Sequence, residues 1–318
     1  MALTLVALTA LVAALVLTPI AATVATHLGV VDHPGPLKVH RRPVPYLGGL
    51  AVLGAVAVAA GWRVGLWLLP LALACALGLA DDITNLDARL RLAAEAAIGA
   101  IAGGLIGGGS LLGVVAGAGV VALLVNTVNL LDGLDGLAAG VCLASAVGFA
   151  VLGTGHAQFL AVGLTGALGG FLVYNRPPAR IYLGDAGSYL LGASLGSLLI
   201  ASWAHAGGRT SAAIAAVLLV GVPVADTSLA IIRRYRSGRP LFTGDRSHIY
   251  DQLVSRGWTA SRASGACVFA QVVLAGVALS VFHAPVAVAA VVVACTIAAV
   301  AVLLFATGFA APTKESAP

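Results

Sequence analysis

Long apolar runs, separated by short polar segments, follow one another along almost the whole chain. A helix needs about 17 to 25 apolar residues to cross a membrane, and the runs suit that length better than the short alternating strands of a barrel. Because lipid offers no partners for backbone N–H and C=O groups, such runs favour a helical bundle. The pattern predicts about eleven spans, at residues 3–26, 47–61, 66–80, 92–106, 111–129, 137–153, 159–174, 187–204, 211–231, 263–282 and 286–308.

The composition excludes a soluble globular protein. Hydrophobic residues account for 60% of the 318 residues and charged residues for 9%, and the mean hydropathy is +1.04. A soluble domain carries about 25% charged residues. We therefore expect an all-α, polytopic transmembrane bundle, with one domain over residues 1–308 and a disordered cytoplasmic tail over 309–318. The first run lacks a basic start and is interpreted as a span, with a cleaved signal peptide as the alternative.

The distribution of charge predicts the topology. An odd number of spans puts the termini on opposite sides, and one side then holds every Lys and Arg except Arg63 and Arg209. By the positive-inside rule that side is cytoplasmic, so the N-terminus points outward and the C-terminus inward. Most aspartates lie on the same side, which solubility alone would not require. This concentration predicts a site on the cytoplasmic face of the plasma membrane.

The segment 126–140, NTVNLLDGLDGLAAG, is the most polar stretch in an apolar setting. Helical spacing would place Asn126, Asn129 and Asp132 on one slowly drifting stripe, which Asp135 continues. Carboxylates near a bilayer are costly, and they normally face a bundle interior or a wet cavity where they bind something. Glycines in the segment would loosen the helix beside the carboxylates. The alternative is a juxtamembrane turn with solvated aspartates.

Other carboxylates stand at the ends of two predicted spans. Asp81 and Asp82 are adjacent at the end of the third span, where side chains about 100° apart would send one to a site and the other into the surrounding structure. Asp185 follows a glycine at the start of the eighth span, where helix N-terminal amides favour an anion. Hard oxygen ligands such as Asp132, Asp135 and Asp185 suit Mg²⁺, with Mn²⁺ as an alternative.

Two predicted inner loops carry basic and histidine side chains near the membrane surface. Lys38 and His40 in the first loop are interpreted either as phosphate contacts or as an anchor for anionic lipid headgroups. The last inner loop is the longest and most basic, and Asp245, Arg246 and His248 form its densest polar group. His248 suits a phosphate contact, or it is an ordinary surface histidine.

Five ordered blocks carry a resemblance to a known enzyme family. They are DHPGPLKVHRRPVPYLGG, GLADDITNLDARLR, NTVNLLDGLDGLAAG, YNRPPARIYLGDAGSYLLG and GDRSHIYDQLVSRG. From Asp32 to about Trp258 the chain resembles the polyprenyl-phosphate N-acetylhexosamine-1-phosphate transferases, a glycosyltransferase family 4 type that includes phospho-MurNAc-pentapeptide transferase. No single block is decisive, but their order between matching spans is specific.

The resemblance implies a reaction and its partners. A UDP-activated N-acetylhexosamine 1-phosphate is moved onto undecaprenyl, decaprenyl or a related polyprenyl phosphate, with release of UMP, to build cell-envelope glycans. Mg²⁺ is the implied cofactor, with Mn²⁺ as the alternative. Phosphoryl transfer depends mostly on positioning and charge neutralisation, so a metal ion, cations and a groove are what it needs. Nucleic acid is not an expected partner, and a homodimer stays open.

The resemblance also implies residue roles. Asp185 is the best metal ligand, and Asp81 or Asp82 lies near the metal or acts as a base, although a lipid phosphate that is mostly ionised near pH 7 favours direct attack. Uracil is expected to meet Asp135 and to stack on Tyr182. In full, the resemblance assigns Asp185, Asp81 and Asp132 to the metal, Asp81, Asp82, Asp132 and His248 to catalysis, and Lys38, His40, Asn129, Asp135, Tyr182, Asp245 and Arg246 to substrate binding.

One departure from the family pattern bears on the donor sugar. Many members carry His-x-His or three histidines in the last block, whereas this chain keeps only His248 there. The departure argues against the MurNAc-pentapeptide branch, which stays the alternative, and favours a GlcNAc-type donor or another simple UDP-HexNAc. A protein of another class, an ion-coupled transporter or lipid flippase, would place its acids near the bilayer midplane in discontinuous spans.

Overall fold

Helices form almost every regular element of the structure. The computed structural model describes residues 1–34, 42–204, 210–238 and 248–311. Within these ranges the helices are α1 (Ala2–Leu28), α2 (Gly48–Val64), α3 (Leu68–Thr84), α4 (Ala88–Ile106), α5 (Leu111–Leu131), α6 (Leu137–Leu152), α7 (Gly155–Asn175), α8 (Gly184–Ala204), α9 (Thr210–Ala216), α10 (Gly221–Arg236), α11 (Ile249–Ser255), α12 (Ala260–Val281) and α13 (Val286–Ala306), and a two-stranded antiparallel ladder pairs β1 (Val31–Asp32) with β2 (Val44–Pro45).

Each predicted span contains a helix of the bundle. The ninth span combines α9 and α10, which a 3-10 segment, Val217–Val220, joins. Among the described residues, eight helical stretches are long and apolar enough to cross a membrane, and the apolar helix α6 is shorter, at 16 residues. The all-α, polytopic membrane fold is therefore confirmed, whereas the number of crossings and their direction stay predictions.

Small residues let neighbouring helices touch at their backbones. A methyl group added to Gly103 of α4 would lie 2.0 Å from the carbonyl oxygen of Gly113 on α5. A methyl group added to Gly166 of α7 would lie 2.2 Å from the carbonyl oxygen of Ala7 on α1. Because lipid supplies no hydrophobic drive for helix pairing, close van der Waals packing of this kind stabilises membrane bundles.

Helix α8 lies in the interior of the bundle. Its sequence is apolar or small on every side, which is typical of a buried helix, and its Tyr189 is only 1% exposed. Its first turns touch the backbones of α2 and α3. A methyl group at Gly49 would lie 2.3 Å from the amide nitrogen of Gly187, and one at Gly78 would lie 2.2 Å from the carbonyl oxygen of Asp185. The start of α8 is therefore held against two other helices.

Main-chain hydrogen bonds join the loop before α2 to the loop before α8. The amide of Tyr182 donates to the carbonyl oxygen of Pro45 at 2.8 Å. The amides of Gly48 and Gly49 donate to the carbonyl oxygens of Tyr182 and Leu183 at 3.0 and 2.9 Å. These two loops thus lie at the same end of the bundle, as the alternating order of the spans predicted.

The polar segment after α5 is not helical throughout. Helix α5 ends at Leu131, Asp132 caps it with ψ 49°, and Gly136 has φ +70° just before α6 begins. The helical stripe therefore ends with Asn129, and Asp132 and Asp135 lie in a tight turn. The predicted loosening by glycine is confirmed at Gly136, because a positive φ favours a residue without Cβ.

The C-terminal end packs against the bundle further along than the sequence predicted. The disordered tail was expected to begin at Phe309, but Phe309 and Ala310 are 8% and 1% exposed. The carbonyl oxygen of Phe309 accepts hydrogen bonds from Arg233 Nη1 at 3.0 Å and from Gln252 Nε2 at 3.1 Å. These first residues of the expected tail are therefore part of the bundle, and residues 312–318 lie outside the described ranges.

Candidate active site

A cavity of about 550 Å³ opens at the end of the bundle where these loops meet. Residues near the ends of α3 and α5, the turn after α5 and the loops before α2 and α8 form its wall. The structure brings together here the predicted site residues Asp82, Asn129, Asp132, Asp135, Tyr182 and Asp185. The remaining lining residues are Val31, Asp32, Tyr46, Gly133, Leu134, Asn175, Gly184 and Ala260.

Asp82, near the end of α3, caps the first turn of α8. Its Oδ1 accepts from the amide of Asp185 at 3.0 Å, and its Oδ2 accepts from the amide of Ala186 at 3.2 Å. Unpaired N–H groups at a helix start favour an anion, and Asp82 supplies that charge. Gly184 makes the approach feasible, because its φ is +70° and a Cβ there would lie 2.8 Å from Asp82 Oδ2. Asp82 therefore determines where Asp185 enters the cavity.

The carboxylate of Asp185 is linked to α5. Its Oδ1 accepts a hydrogen bond from Nδ2 of Asn129 at 3.3 Å. One helical turn earlier, Asn126 donates to the carboxylate of Glu95 on α4, which is only 2% exposed. The polar stripe of α5 thus has two uses, since Asn126 binds a buried acid within the bundle and Asn129 reaches the cavity.

Asp132 and Asp135 stand in the turn after α5. Burial, together with the nearby carboxylates of Asp185, Asp82 and Asp135, raises the pKa of Asp132 to about 7. A cation held among these carboxylates would offset their repulsion. Asp135 also has a structural partner, because its Oδ2 accepts from the amide of Ala179 at 2.9 Å.

Two tyrosines give the cavity aromatic surface. Burial, followed by the negative charge of Asp135 and Asp32, raises the pKa of Tyr182 to about 12. Burial also raises the pKa of Tyr46, with Asp82 and Asp32 contributing. Both phenols therefore keep their protons near neutral pH and act as hydrogen-bond donors.

Asp81 is turned into the bundle and does not line the cavity. It is 4% exposed, its Oδ1 accepts from the amide of Leu86 at 2.8 Å, and its Oδ2 accepts from the hydroxyl of Tyr189 at 2.7 Å and from Arg91 Nη1 at 2.9 Å. The adjacent pair is thus divided, with Asp82 at the cavity and Asp81 joining α3, α4 and α8. The metal and catalytic roles assigned to Asp81 stay predictions.

His248 does not line the cavity either. It is 3% exposed at the start of α11, with Nδ1 2.6 Å from Oδ2 of Asp226 on α10. Its ring stacks on Tyr250, with centroids 5.6 Å apart and planes 6° apart. Its burial rules out an ordinary surface histidine, and a direct part in catalysis stays a prediction.

The remaining predicted substrate-binding residues lie outside the described ranges. They are Lys38 and His40, between α1 and α2 in the chain, and Asp245 and Arg246, between α10 and α11. Their contacts with phosphate, inferred from charge and from the resemblance, stay predictions.

Three further residues line the cavity that the sequence patterns did not indicate as site residues, namely Asp32, Tyr46 and Asn175. Asn175 is 4% exposed, accepts from the amide of Gly136 at 3.2 Å through Oδ1 and donates to the carbonyl oxygen of Ile181 at 2.9 Å through Nδ2. It therefore joins the turn after α5 to the loop before α8. All three fall inside the ordered blocks, which was the signal available for them.

The oxygen-rich lining raises the question of a metal ion. Among the described residues, no three His, Cys, Asp or Glu side chains are arranged to hold one. The predicted set of Asp185, Asp81 and Asp132 is therefore not assembled as three direct ligands. The chemistry still fits Mg²⁺ or Mn²⁺, because magnesium commonly takes only one or two protein carboxylates and completes its shell with water and substrate phosphates.

Comparison with known proteins finds similarity along most of the chain. The glycosyl transferase family 4 domain matches residues 64–203. A probable undecaprenyl-phosphate N-acetylglucosaminyl 1-phosphate transferase of Bacillus subtilis is 33% identical, over 78% of this chain and 76% of the relative. The decaprenyl-phosphate N-acetylglucosaminephosphotransferase of Mycobacterium tuberculosis is 31% identical, over 88% and 83%. A phospho-N-acetylmuramoyl-pentapeptide-transferase of Moorella thermoacetica is 40% identical, over only 43% and 42%.

Proposed function

This chain belongs to glycosyl transferase family 4, and we propose that it transfers N-acetylglucosamine 1-phosphate from a UDP-sugar to a polyprenyl phosphate. The cavity at the end of the bundle carries the proposal, because Asp82, Asp132 and Asp185 from three separate segments converge there. Two anionic substrates meet most easily where a cation offsets their repulsion, and such a cavity is suited to hold one.

The proposed transfer exchanges one phosphorus–oxygen bond for another. An oxygen of the lipid phosphate attacks the phosphorus that bears the sugar, and the bond from that phosphorus to the UMP oxygen breaks. The products are a polyprenyl diphosphate sugar and UMP. Since the second pKa of a phosphate monoester is about 6, the attacking oxygen is mostly ionised near pH 7 and needs no protein base. We therefore favour direct attack.

Asp185 and Asp132 are the side chains that would hold Mg²⁺ or Mn²⁺. The hydrogen bond from Asn129 aligns Asp185, and the cap provided by Asp82 holds the backbone on which Asp185 stands. When bound there, the divalent ion would offset the negative charge of the phosphates. The protein thus contributes position and orientation, on which phosphoryl transfer depends most.

The nucleotide base fits the part of the cavity near Tyr182 and Asp135. The Tyr182 ring offers a stacking surface for uracil. One oxygen of Asp135 is engaged by the amide of Ala179, and its other oxygen suits the N–H of the uracil ring as an acceptor. This arrangement would place the diphosphate toward Asp132 and Asp185.

We place the reaction at the cytoplasmic face of the plasma membrane. The lipid acceptor confines the chemistry to a membrane surface, and the cavity lies at one end of the bundle, among the loops that the sequence predicts to be inside. Those loops carry nearly all the basic residues of the chain, which supports a cytoplasmic position. UDP-sugars would reach the cavity from that side.

The similarity favours N-acetylglucosamine over MurNAc-pentapeptide as the transferred group. The Bacillus and Mycobacterium relatives, which match over three quarters or more of this chain, are named for N-acetylglucosamine. The Moorella relative, named for the MurNAc-pentapeptide, matches over less than half of it. The single histidine in the last block supports the same choice.

The test is UMP release by the full-length protein in lipid nanodiscs. We expect release from UDP-GlcNAc only when undecaprenyl phosphate and Mg²⁺ are both present, and little from UDP-MurNAc-pentapeptide. Asp185→Asn should nearly abolish it, whereas Asp87→Asn should not, because Asp87 caps α4 through the amides of Arg89 and Leu90 and does not line the cavity. Absence of UMP with every UDP-HexNAc tested would overturn the proposal.

A further inference from the structure

Asp226 is a completely buried acid outside the cavity. It lies on α10 with 0% exposure, and both of its carboxylate oxygens are used by the start of α11. Oδ2 lies 2.6 Å from Nδ1 of His248, and Oδ1 accepts from the amide of Ile249 at 2.6 Å. Burying a carboxylate is costly unless it is paired and hydrogen-bonded. Such a group within a membrane bundle therefore serves a specific purpose.

The contact sets the direction of the His248 ring. A carboxylate oxygen 2.6 Å from Nδ1 suits the tautomer that carries a hydrogen on Nδ1 and donates it to Asp226. A second group that binds one ring nitrogen determines the orientation of the imidazole. Charge-assisted bonds of this length are also the stronger kind. Asp226 thus fixes both His248 and the first turn of α11 to α10.

The chain of contacts continues to the turn that carries Asp132. The ring of His248 stacks on Tyr250, and the hydroxyl of Tyr250 donates to the carbonyl oxygen of Leu130 at 3.0 Å. A Cβ at Gly133 would lie 2.1 Å from the Tyr250 hydroxyl oxygen, so Tyr250 sits directly on the backbone next to Asp132. A change in the position of α11 would therefore move this side of the cavity.

We propose that Asp226 is a positioning residue for sugar-phosphate transfer, acting through His248 and Tyr250 on the turn that carries Asp132. The proposal rests on the proposed function, and it assigns Asp226 no contact with substrate. Asp226 holds the start of α11 against α10. Tyr250 in turn holds the backbone of residues 130–132 where the diphosphate and its cation would bind.

A double-mutant cycle tests the path of action. Asp226→Asn should lower kcat by about 10-fold to 100-fold, the range found for groups that orient functional ligands, with a smaller change in KM for the UDP-sugar. Asp226→Glu, which keeps the charge, should recover part of the loss. Because residues in one network are not additive, Asp226→Asn combined with His248→Asn should be no slower than His248→Asn alone. Fully additive losses would overturn the proposal.

Gln271 provides a matched control for the loss of a buried polar group. It lies on α12 with 0% exposure, accepts from the amide of Val222 and donates to the carbonyl oxygen of Leu218, so its hydrogen bonds hold the start of α10 and the segment before it. Gln271→Leu should lower thermal stability without changing the ratio of kcat to KM. If Gln271→Leu lowered kcat as much as Asp226→Asn does, Asp226 would only stabilise the fold, and the proposal would be overturned.

Hydrogen exchange separates this proposal from the proposed function, because it does not depend on turnover. In Asp226→Asn, amides of Ile249–Ser255 and of residues 130–136 should exchange faster than in the wild type, and in Gln271→Leu they should not. If the wild type released no UMP, the proposed function would fail while this measurement still decided whether Asp226 positions the turn. Unchanged exchange in Asp226→Asn would overturn the positioning role.

Discussion

The carboxylate of Asp82 accepts a hydrogen bond of 3.0 Å from the backbone amide of Asp185, which stands 103 positions later in the chain. One acid of the cavity thus holds the backbone of another. The N-terminus of a helix favours an anion, and at α8 the carboxylate of Asp82 is that anion. The side chain of Asp185 is therefore not needed as the cap and faces the cavity.

Removing this cap should cost both stability and activity. Asp82→Ala deprives two amides of α8 of their acceptor, and loss of a helix cap typically costs about 1 kcal/mol. Asp82→Asn keeps one acceptor oxygen and should lose less stability. Thermal unfolding and UMP release of the two variants check this, and equal stability of Asp82→Ala and wild type would contradict it.

Substitution of Asp81 should mainly lower stability, whereas substitution of Asp185 should mainly lower activity. Asp81→Leu leaves the hydroxyl of Tyr189, which is 1% exposed, without its acceptor. A buried donor left unpaired costs about 1 to 3 kcal/mol, and the ion pair with the half-exposed Arg91 is lost as well. We expect a clear loss of stability in Asp81→Leu. Asp185→Asn should fold as the wild type does but lose nearly all UMP release. Unfolding curves measured beside activity per folded molecule distinguish the two effects.

Divalent ions should bind to the cavity and stabilise the protein. Asp132, Asp185 and Asp82 repel one another, and a cation between them removes that repulsion. Mg²⁺ at ten times its Kd would stabilise the folded state by about 1.4 kcal/mol. The unfolding temperature of the EDTA-treated protein should therefore rise with Mg²⁺ or Mn²⁺, and UMP release should return. The shift in temperature should be absent in Asp185→Asn combined with Asp132→Asn.

Adjacent glycines of α4 should differ sharply in their tolerance of a methyl group. At Gly103 a Cβ would lie 2.0 Å from the carbonyl oxygen of Gly113, whereas at Gly104 the nearest atom, Cγ2 of Val114, would be 3.5 Å away. Gly103→Ala should destabilise the bundle by about 1 to 3 kcal/mol. Gly104→Ala should be neutral or stabilising, since alanine favours helix by about 1 kcal/mol. Thermal unfolding of both variants decides.

Truncation should show that the end of the chain supports α10 and α11. A chain ending at Gly308 lacks Phe309, whose carbonyl oxygen accepts from Arg233 and Gln252. The guanidinium of Arg256 also lies 4.0 Å from the centre of the Phe309 ring. We expect this truncation to lower the unfolding temperature more than a truncation after Ala311, which keeps both of these contacts. The same unfolding temperature for both truncations would contradict it.

The fold was predictable because the length and apolarity of a segment decide whether it suits a membrane span, with little dependence on its neighbours. The meeting of Asp82, Asp132 and Asp185 at one end followed from the order of the spans, since alternate loops return to the same side.

Other features depend on tertiary contacts that the sequence does not reveal. The rotation of α3 about its axis decides whether Asp81 or Asp82 faces the cavity. The contact between Gly78 and α8 determines that rotation. The burial of His248 against Asp226 depends on the packing of α11 on α10. The docking of Phe309 likewise requires partners far away in the chain.

The close contact of α3 with α8 at Gly78 makes one side of the cavity differ from the other. Because α3 and α8 touch at their backbones there and Asp82 caps the first turn of α8, Asp82 and Asp185 are held in one packed unit. Donors of different bulk must therefore be accommodated by the facing side, formed by the turn after α5 and by α11 behind it. Changes in donor preference among related enzymes should accumulate on that adjustable side, while the packed side stays alike.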